Sequence, residues 1–415
     1  MTLDLCASTR DWIARSPSRH EVQDFAEWLK AQHYTDFVCD RHLRRLLLLL
    51  PRLSPDGRLR SYSNAQLDRV FDAERHPQSR RYCFAASRRV YRRFLLAQGR
   101  FREDQTRDRF AGLRRDYARY LLELRGLSRS SRTHHAQEVA DFLVRGLRPR
   151  QQLRSLCRAD IERFVQLRSG ETSRHSMQHT VGILRAFLRY LHHAGLIPAP
   201  LDSLDTPRVH RGELPPQALP WRSVRTLLAS IDRRSKSGWR DLCILHLVAC
   251  YGLRPSEVVA LRLDSIDWAA GLLHVRQLKT RSDLVLPLAP PTLRLLHHYL
   301  THCRNQQGTV HKQLFLRARC PHGGLEHFAV GDIFRKRARE AGLQIADKHV
   351  YRLRHTFAMR LLKRGVGVKA IGDVLGHRSL EGTCAYLRLD VDTLRDVALP
   401  VPRARAVSNP GARHA

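Results

Sequence analysis

Residues 351–386 read YRLRHTFAMRLLKRGVGVKAIGDVLGHRSLEGTCAY, and the reading of this stretch decides the fold. Arg354 and His355 stand at the head of a helix whose Leu353, Phe357 and Leu361 form an i, i+4, i+8 apolar stripe. The stripe predicts a helix buried on one side, with Arg354 beside the buried face, where a surface cation would sit opposite it. Leu375-Gly376 then predicts a helix stop, with glycine permitting a sharp turn that aims His377 toward a cavity. Tyr386 follows nine residues after His377. Cations, imidazoles and a phenol, with no acidic cluster to hold a metal, point to an anionic substrate and a nucleophile other than water.

Composition agrees with an anionic partner. The 415 residues carry a formal charge of +34, more than solubility requires, so a polyanion such as double-stranded DNA is the expected partner. Only 8 of the 73 basic residues are lysine, which makes any lysine in a suspected site informative. Nine cysteines without paired or CxxC spacing suit a reducing compartment rather than a disulfide framework. The start MTLDLCASTRDW has no apolar signal core, and Leu46–Leu50 is too short to span a bilayer. The expectation is a cytoplasmic, nucleoid-associated protein without a membrane segment.

Upstream of Trp221 the chain reads as helical. Apolar periodicity surrounds Phe25–Leu29, Leu43–Leu50 and Tyr91–Leu96, with loops expected at 54–58 and 74–81. The segment then echoes itself. FAEWL (25–29) matches YARYL (117–121), LRSYSNAQLDRVF (59–71) matches LRSLCRADIERFV (153–165), and YRRFLLAQG (91–99) matches LRAFLRYLHHAG (184–195). The offsets of 92, 94 and 93 residues predict two copies of one small helical domain. In the second copy Gly126 ends a helix, Ser128 or a nearby serine caps the next, and Asp160 and Glu162 occupy the first turn of another, where the helix dipole favours acids. The proline-rich run after residue 194 predicts a linker.

Beyond the linker, GLRPSE (252–257) places Pro255 in the first turn of a helix and Arg254 at its boundary, with Glu257 able to orient the guanidinium. GLLHVRQLKTRSDLVLPL (271–288) predicts a hairpin whose polar tip carries Lys279. A lysine can act as a general acid where an arginine cannot. Helices are expected at 291–303 and 329–342. His302, Cys303, Cys320 and His322 are too irregularly spaced to predict a zinc site.

Arg254, Lys279, Arg354, His377 and Tyr386, in this order and with LRHTFA and LGH around them, resemble the tyrosine recombinase (phage integrase) family. The resemblance covers about 105–390. It implies a multidomain, mainly α fold in which helical core-binding domains precede an α+β catalytic domain with a small β-hairpin or sheet. The expected boundaries are an N-terminal helical domain at 1–103 that is a possible duplicate of the core-binding domain, the core-binding helical DNA-binding domain itself at 104–205, a linker at 206–219, the catalytic domain at 220–400 and a basic tail at 401–415. The N-terminal copy lies outside the common family plan.

The resemblance further implies that Tyr386 attacks a DNA phosphodiester to give a 3′-phosphotyrosyl link and a free 5′-hydroxyl. Arg254 and Arg354 would hold the non-bridging oxygens, Lys279 would protonate the departing 5′-oxygen, and His377 would hydrogen-bond the phosphate. No cofactor, metal or ATP is implied, and family members work as tetramers on two duplexes. The family usually has a histidine three residues before the second arginine, where this chain has Tyr351. His349 makes H-V-Y-R with Arg352, but that register would displace the Arg354–Phe357 block, so Tyr351 is read as a substitute hydrogen-bonding phenol and His355 as an orienting or packing residue. A type IB topoisomerase and a non-catalytic integrase-derived DNA-binding factor are the alternative readings.

Overall fold

The computed structural model describes residues 3–58, 60–71, 78–102, 108–206, 217–277, 282–304, 311–318, 320, 322–344, 349–377, 379, 381–384 and 386–387. Backbone packing divides the chain into two compact units. One comprises Ala7–Phe25 with His42–Glu213; the other comprises Met1–Cys6 and Ala26–Arg41 with Leu214–Ala415.

The chain begins with α1 (Ala7–Arg15), α2 (Arg19–Ala31), α3 (Asp36–Leu53), the short parallel pair β1 (Tyr62–Ser63) and β2 (Phe101–Arg102), α4 (Asn64–Val70) and α5 (Gln78–Ala97). It continues through α6 (Ala111–Glu123), α7 (Arg129–Asp141), α8 (Arg158–Ser169) and α9 (Arg174–His193). Helix α5 starts at Gln78, inside the stretch expected as a loop at 74–81. Pro77 precedes that start in sequence, and proline opens helices as readily as it breaks them. Ser128 caps α7, its Oγ accepting from the Ser131 amide at 3.2 Å, and Gly126 before it takes φ +57°.

The two helical runs share detailed local geometry. Phe25 meets Tyr91 edge-on at 5.4 Å and Phe94 at 5.2 Å; Tyr117 meets Phe187 edge-on at 5.0 Å and Tyr190 at 5.0 Å. Helix α4 opens with a capping box between Ser63 and Gln66, and α8 with one between Cys157 and Asp160. Helices α5 and α9 end at left-handed glycines, Gly99 (φ +65°) and Gly195 (φ +68°), each followed by the same backbone bond, Arg100 N to Leu95 O and Leu196 N to Leu191 O. Between Gly99 and Gly195 the offset is 96 residues, where matching Phe94 to Phe187 in sequence gave 93. Phe187 packs where Tyr91 does, not where Phe94 does, because either aromatic ring fills the slot against α2 or α6.

The other unit holds α10 (Trp221–Ala229), α11 (Lys236–Tyr251), α12 (Pro255–Ala260), an antiparallel sheet of β3 (Ile266–Asp267), β4 (Leu272–Gln277) and β5 (Ser282–Pro287), and α13 (Pro290–His298). A π-helical turn at Tyr299–Cys303 extends α13. Then come α14 (His327–Glu340), α15 (Tyr351–Leu362), α16 (Val368–Leu375) and the one-turn α17 (Glu381–Cys384). The expected hairpin is present, paired from Leu272 opposite Pro287 to Gln277 opposite Ser282. Leu273, Val275 and Gln277 point inward while His274 and Arg276 face out, as a period of two requires.

Helix α11 is the core of this unit, with Cys243, Ile244, Leu245, Leu247, Val248 and Ala249 all at 0% exposure. Its apolar surface packs with residues of α10, the sheet, α13, α14 and α15 in one cluster. A buried ion pair sits against it: Asp241 accepts from Arg337 Nη2 at 2.7 Å and Arg240 Nη2 at 2.7 Å, pinning α14 to α11. Among the described residues no helix is long and apolar enough to cross a membrane, and no cluster of three or more His, Cys, Asp or Glu could hold a metal ion.

Candidate active site

Helix α11 stops because Gly252 adopts φ +66°. A Cβ at this position would lie 2.5 Å from Phe357 Cδ1 and 2.8 Å from Leu375 Cδ2, so only glycine lets the three segments close up. Two residues on, Arg254 is the N-cap of α12, with Pro255 in the first turn. Glu257, 2% exposed, folds back on it: its Oε2 accepts from the Arg254 amide at 2.7 Å and its Oε1 from Arg254 Nη1 at 2.6 Å. The carboxylate thus fixes the guanidinium against the helix start, as the sequence suggested.

Arg354 comes from α15 and is 4% exposed. Its Nη1 donates to the Gly252 carbonyl and its Nη2 to the Leu375 carbonyl at 2.8 Å, while Glu257 Oε2 lies 4.0 Å from Nη1. Arg254 Nη2 donates to the neighbouring Gly376 carbonyl at 3.3 Å. Burial, with the Arg254 charge beside it, pushes the Arg354 pKa down to about 10, so the group stays cationic at neutral pH.

The turn that receives both guanidiniums is built by Gly376, at φ +63°. The His377 amide closes the end of α16 by donating to Gly372 O at 2.9 Å. His377 Nε2 lies 3.2 Å from Arg354 Nη2, and its Nδ1 lies 2.7 Å from Thr383 Oγ1. A guanidinium has donors only, so Nε2 presents its lone pair and the ring proton is assigned to Nδ1, donating to Thr383. Gln277, fully buried at the end of β4, supports the same turn, its Nε2 reaching Leu375 O at 3.5 Å.

Tyr386 is 4% exposed and packs with Ala358, Met359, Ile371 and Leu375. Its hydroxyl lies 3.0 Å from His355 Nδ1. Burial pushes the phenol pKa up, while the Arg354 and Arg254 charges act in the opposite direction. His355 is pushed down to about 4, by burial first and then by Arg354 and Arg352, so it is neutral. With the ring proton assigned to Nε2, Nδ1 accepts the phenol's hydrogen bond.

The structure therefore gathers Arg254, Glu257, Arg354 and His377 at one turn and sets Tyr386 on His355. Tyr351 is 45% exposed in the first turn of α15; its hydroxyl makes no hydrogen bond to another described residue, and its proximity acts to raise the Arg354 pKa. Lys279 lies outside the described residues, as does the tail from 401; the strands flanking Lys279 pair at Gln277 and Ser282. Gly252, Gln277 and Thr383 were not singled out from the sequence. Gln277 carried a signal, being a polar residue at an inward position of an alternating strand.

The phage integrase family profile matches residues 218–392. The putative integrase/recombinase y4rA of Sinorhizobium fredii is 34% identical over 290 residues, covering 69% of this chain and 70% of that protein. This chain belongs to the phage integrase family, the tyrosine recombinases. The tyrosine recombinase XerD of Lacticaseibacillus casei is 28% identical over 282 residues, 67% of this recombinase and 94% of XerD. Among solved structures, XerH bound to palindromic difH substrate in a post-cleavage complex superposes with TM-score 0.53 at 17% identity, covering 66% of this chain and 80% of that one. A lambda integrase dimer bound to a COC′ core site gives 0.51 at 18%, covering 65% and 92%. The multidomain, mainly α fold with its small sheet is the fold of these recombinases, and the protein is a tyrosine-type DNA recombinase.

Proposed function

We propose that this recombinase cuts and rejoins double-stranded DNA at specific sites through a 3′-phosphotyrosyl intermediate formed by Tyr386, in the integration, excision or transposition of a mobile element. One observation carries the reading. Arg254 and Arg354, a hundred residues apart in sequence, donate to consecutive carbonyls of the Leu375–Gly376 turn with one buried carboxylate between them. Two guanidiniums against one carboxylate leave an excess positive charge, the requirement for holding a phosphodiester whose charge grows in the transition state.

In this reading the guanidiniums hold the non-bridging oxygens, Glu257 orients both, and Lys279 protonates the leaving 5′-oxygen. His377 bonds the phosphate as a donor, its ring proton on Nε2 instead of Nδ1 once the arriving anion draws Arg354 away. Tyr351, near Arg354 and half-exposed, stands at the mouth of the site as a phenol donor. The core-binding clamp at 104–205 brings the duplex, 1–103 is a duplicated copy of it, 206–219 links it to the catalytic domain at 220–400, and 401–415 is a basic tail. The paired aromatic contacts, capping boxes and terminal glycines of α2–α5 and α6–α9 support the duplication. Assembly is a tetramer on two duplexes, and the +34 charge suits work on the nucleoid.

Nicked duplexes made from the ends of the native element, which prevent religation, test the reading. Wild-type protein accumulates a covalent protein–DNA complex and Tyr386→Phe accumulates none. An adduct with Tyr386→Phe removes the nucleophile assignment.

A further inference from the structure

The position at which this family usually has a histidine holds Tyr351, so the proton that Tyr386 must lose on attack needs another acceptor. Tyr351 is half-exposed and its hydroxyl makes no hydrogen bond to a described residue. His377 has both ring nitrogens engaged, Nε2 with Arg354 and Nδ1 with Thr383. Among the described residues, the polar atom within hydrogen-bond distance of Tyr386 Oη is His355 Nδ1, at 3.0 Å. The two rings lie 5.6 Å apart at 56°, held by the fixed backbone of α15 on one side and by the Tyr386–Thr383 backbone bond on the other.

We infer that His355 is the general base of DNA cleavage, receiving the Tyr386 phenol proton on Nδ1 as Oη attacks phosphorus. The inference rests on the proposed role of Tyr386 as nucleophile. The Oη–P bond forms and the P–O5′ bond breaks. The phenol proton passes to Nδ1, leaving an imidazolium, and the departing O5′ takes a separate proton from the acid of the site. Religation reverses each transfer, with His355 returning its proton to the leaving phenolate oxygen.

Electrostatics link the step to substrate. The cations bearing on His355 are Arg352 and Arg354 of its own helix, and with burial they disfavour the imidazolium in the free protein. A phosphodiester bound to Arg254 and Arg354 offsets that field and raises the basicity of Nδ1 when the proton must move. The phosphotyrosyl intermediate is again a monoanionic diester, so the same field acts on His355 in the return transfer and the covalent step stays reversible.

The test is single-turnover cleavage of a nicked site by two variants, with DNA binding measured beside it. His355→Asn keeps an oxygen near the Nδ1 position that accepts the phenol hydrogen bond but takes no proton. His355→Gly opens space for added imidazole. The expected results are a loss of roughly 100-fold or more in cleavage by His355→Asn with binding retained, and rescue of His355→Gly by imidazoles in rising order of their pKa. A 5′-bridging phosphorothiolate, whose sulfur leaves without a proton, restores no activity to His355→Asn. Cleavage by His355→Asn within about threefold of wild type, or faster, overturns the inference, as does recovery on the phosphorothiolate. If His355→Asn fails to bind DNA, imidazole rescue of His355→Gly decides alone, its absence counting against the role. An inactive Tyr386→Phe alongside a fully active His355→Asn discards the base and keeps the nucleophile; an active Tyr386→Phe discards both.

Discussion

Arg254 and Arg354 grip neighbouring carbonyls of one turn, Arg254 through Gly376 O at 3.3 Å and Arg354 through Leu375 O at 2.8 Å. Such a pair repels itself, and Glu257, almost fully buried, is the group that offsets the repulsion. Arg354 also donates to Gly252 O, so its planar fork joins the end of α11 to the end of α16. Lysine's three donors share one nitrogen and lack the planar fork that spans the two carbonyls.

Arg354→Lys should therefore lose cleavage by roughly 100-fold or more. It should also lose about 1–3 kcal/mol of stability from the carbonyl left without a donor. Adduct formation on a nicked site and a denaturant titration measure the two effects separately. A variant with near wild-type cleavage contradicts the assignment of Arg354.

Glycine at the turn is the second point of vulnerability. A Cβ on Gly376 would lie 1.8 Å from Gln277 Nε2, and φ there is +63°. Gly376→Ala must both strain the backbone and expel the buried Gln277 amide, displacing the carbonyls that the arginines hold. The expected outcome is loss of cleavage together with a drop of several kcal/mol, well beyond the strain of a left-handed alanine alone, about 1–2 kcal/mol. Gly99 has nearly the same φ, +65°, with nothing within 4 Å of its Cβ, so Gly99→Ala should cost only that strain and leave cleavage unchanged. Equal destabilisation of the two variants contradicts the close approach.

Stability should fall on mild acidification. His42 and His355 are both held neutral to about 4 by burial first, with Arg45 adding at His42 and Arg354 and Arg352 at His355. Their folded values lie below the unfolded 6.5. Above pH 6.5 neither state takes up the proton and the full stability is present. As pH falls from there toward 4, the unfolded chain binds protons that the folded chain refuses, so stability declines through this window. By pH 5 each site accounts for on the order of 2 kcal/mol. Denaturation midpoints from pH 7.5 to 4.5 check this, and His42→Gln should flatten part of the slope. A midpoint independent of pH across the window contradicts it.

Much of this architecture is legible in the residues. The i, i+4, i+8 stripe placed Arg354 at a buried face, the Pro255 start put Arg254 at a helix boundary, and Leu375-Gly376 marked the stop before His377. These signals are local, set by periodicity and backbone conformation, and so survive without tertiary information. The register of the helical repeat was less legible: Phe94 and Phe187 align as letters, yet Tyr91 and Phe187 fill equivalent slots because the pocket selects an aromatic volume. The partners of the site were least legible. Thr383 against His377 and Gln277 against the turn depend on which side chains meet after the helices pack. The His355–Tyr386 contact, from residues 31 apart, has the same origin.

The central claim is that Tyr386 becomes covalently joined to DNA. Mass spectrometry of peptides from the trapped complex on a nicked native site tests it most directly. The account predicts a single DNA-linked residue, Tyr386, esterified to a 3′-phosphate, and no linkage in Tyr386→Phe. Attachment through any other residue, or through a 5′-phosphate, contradicts it.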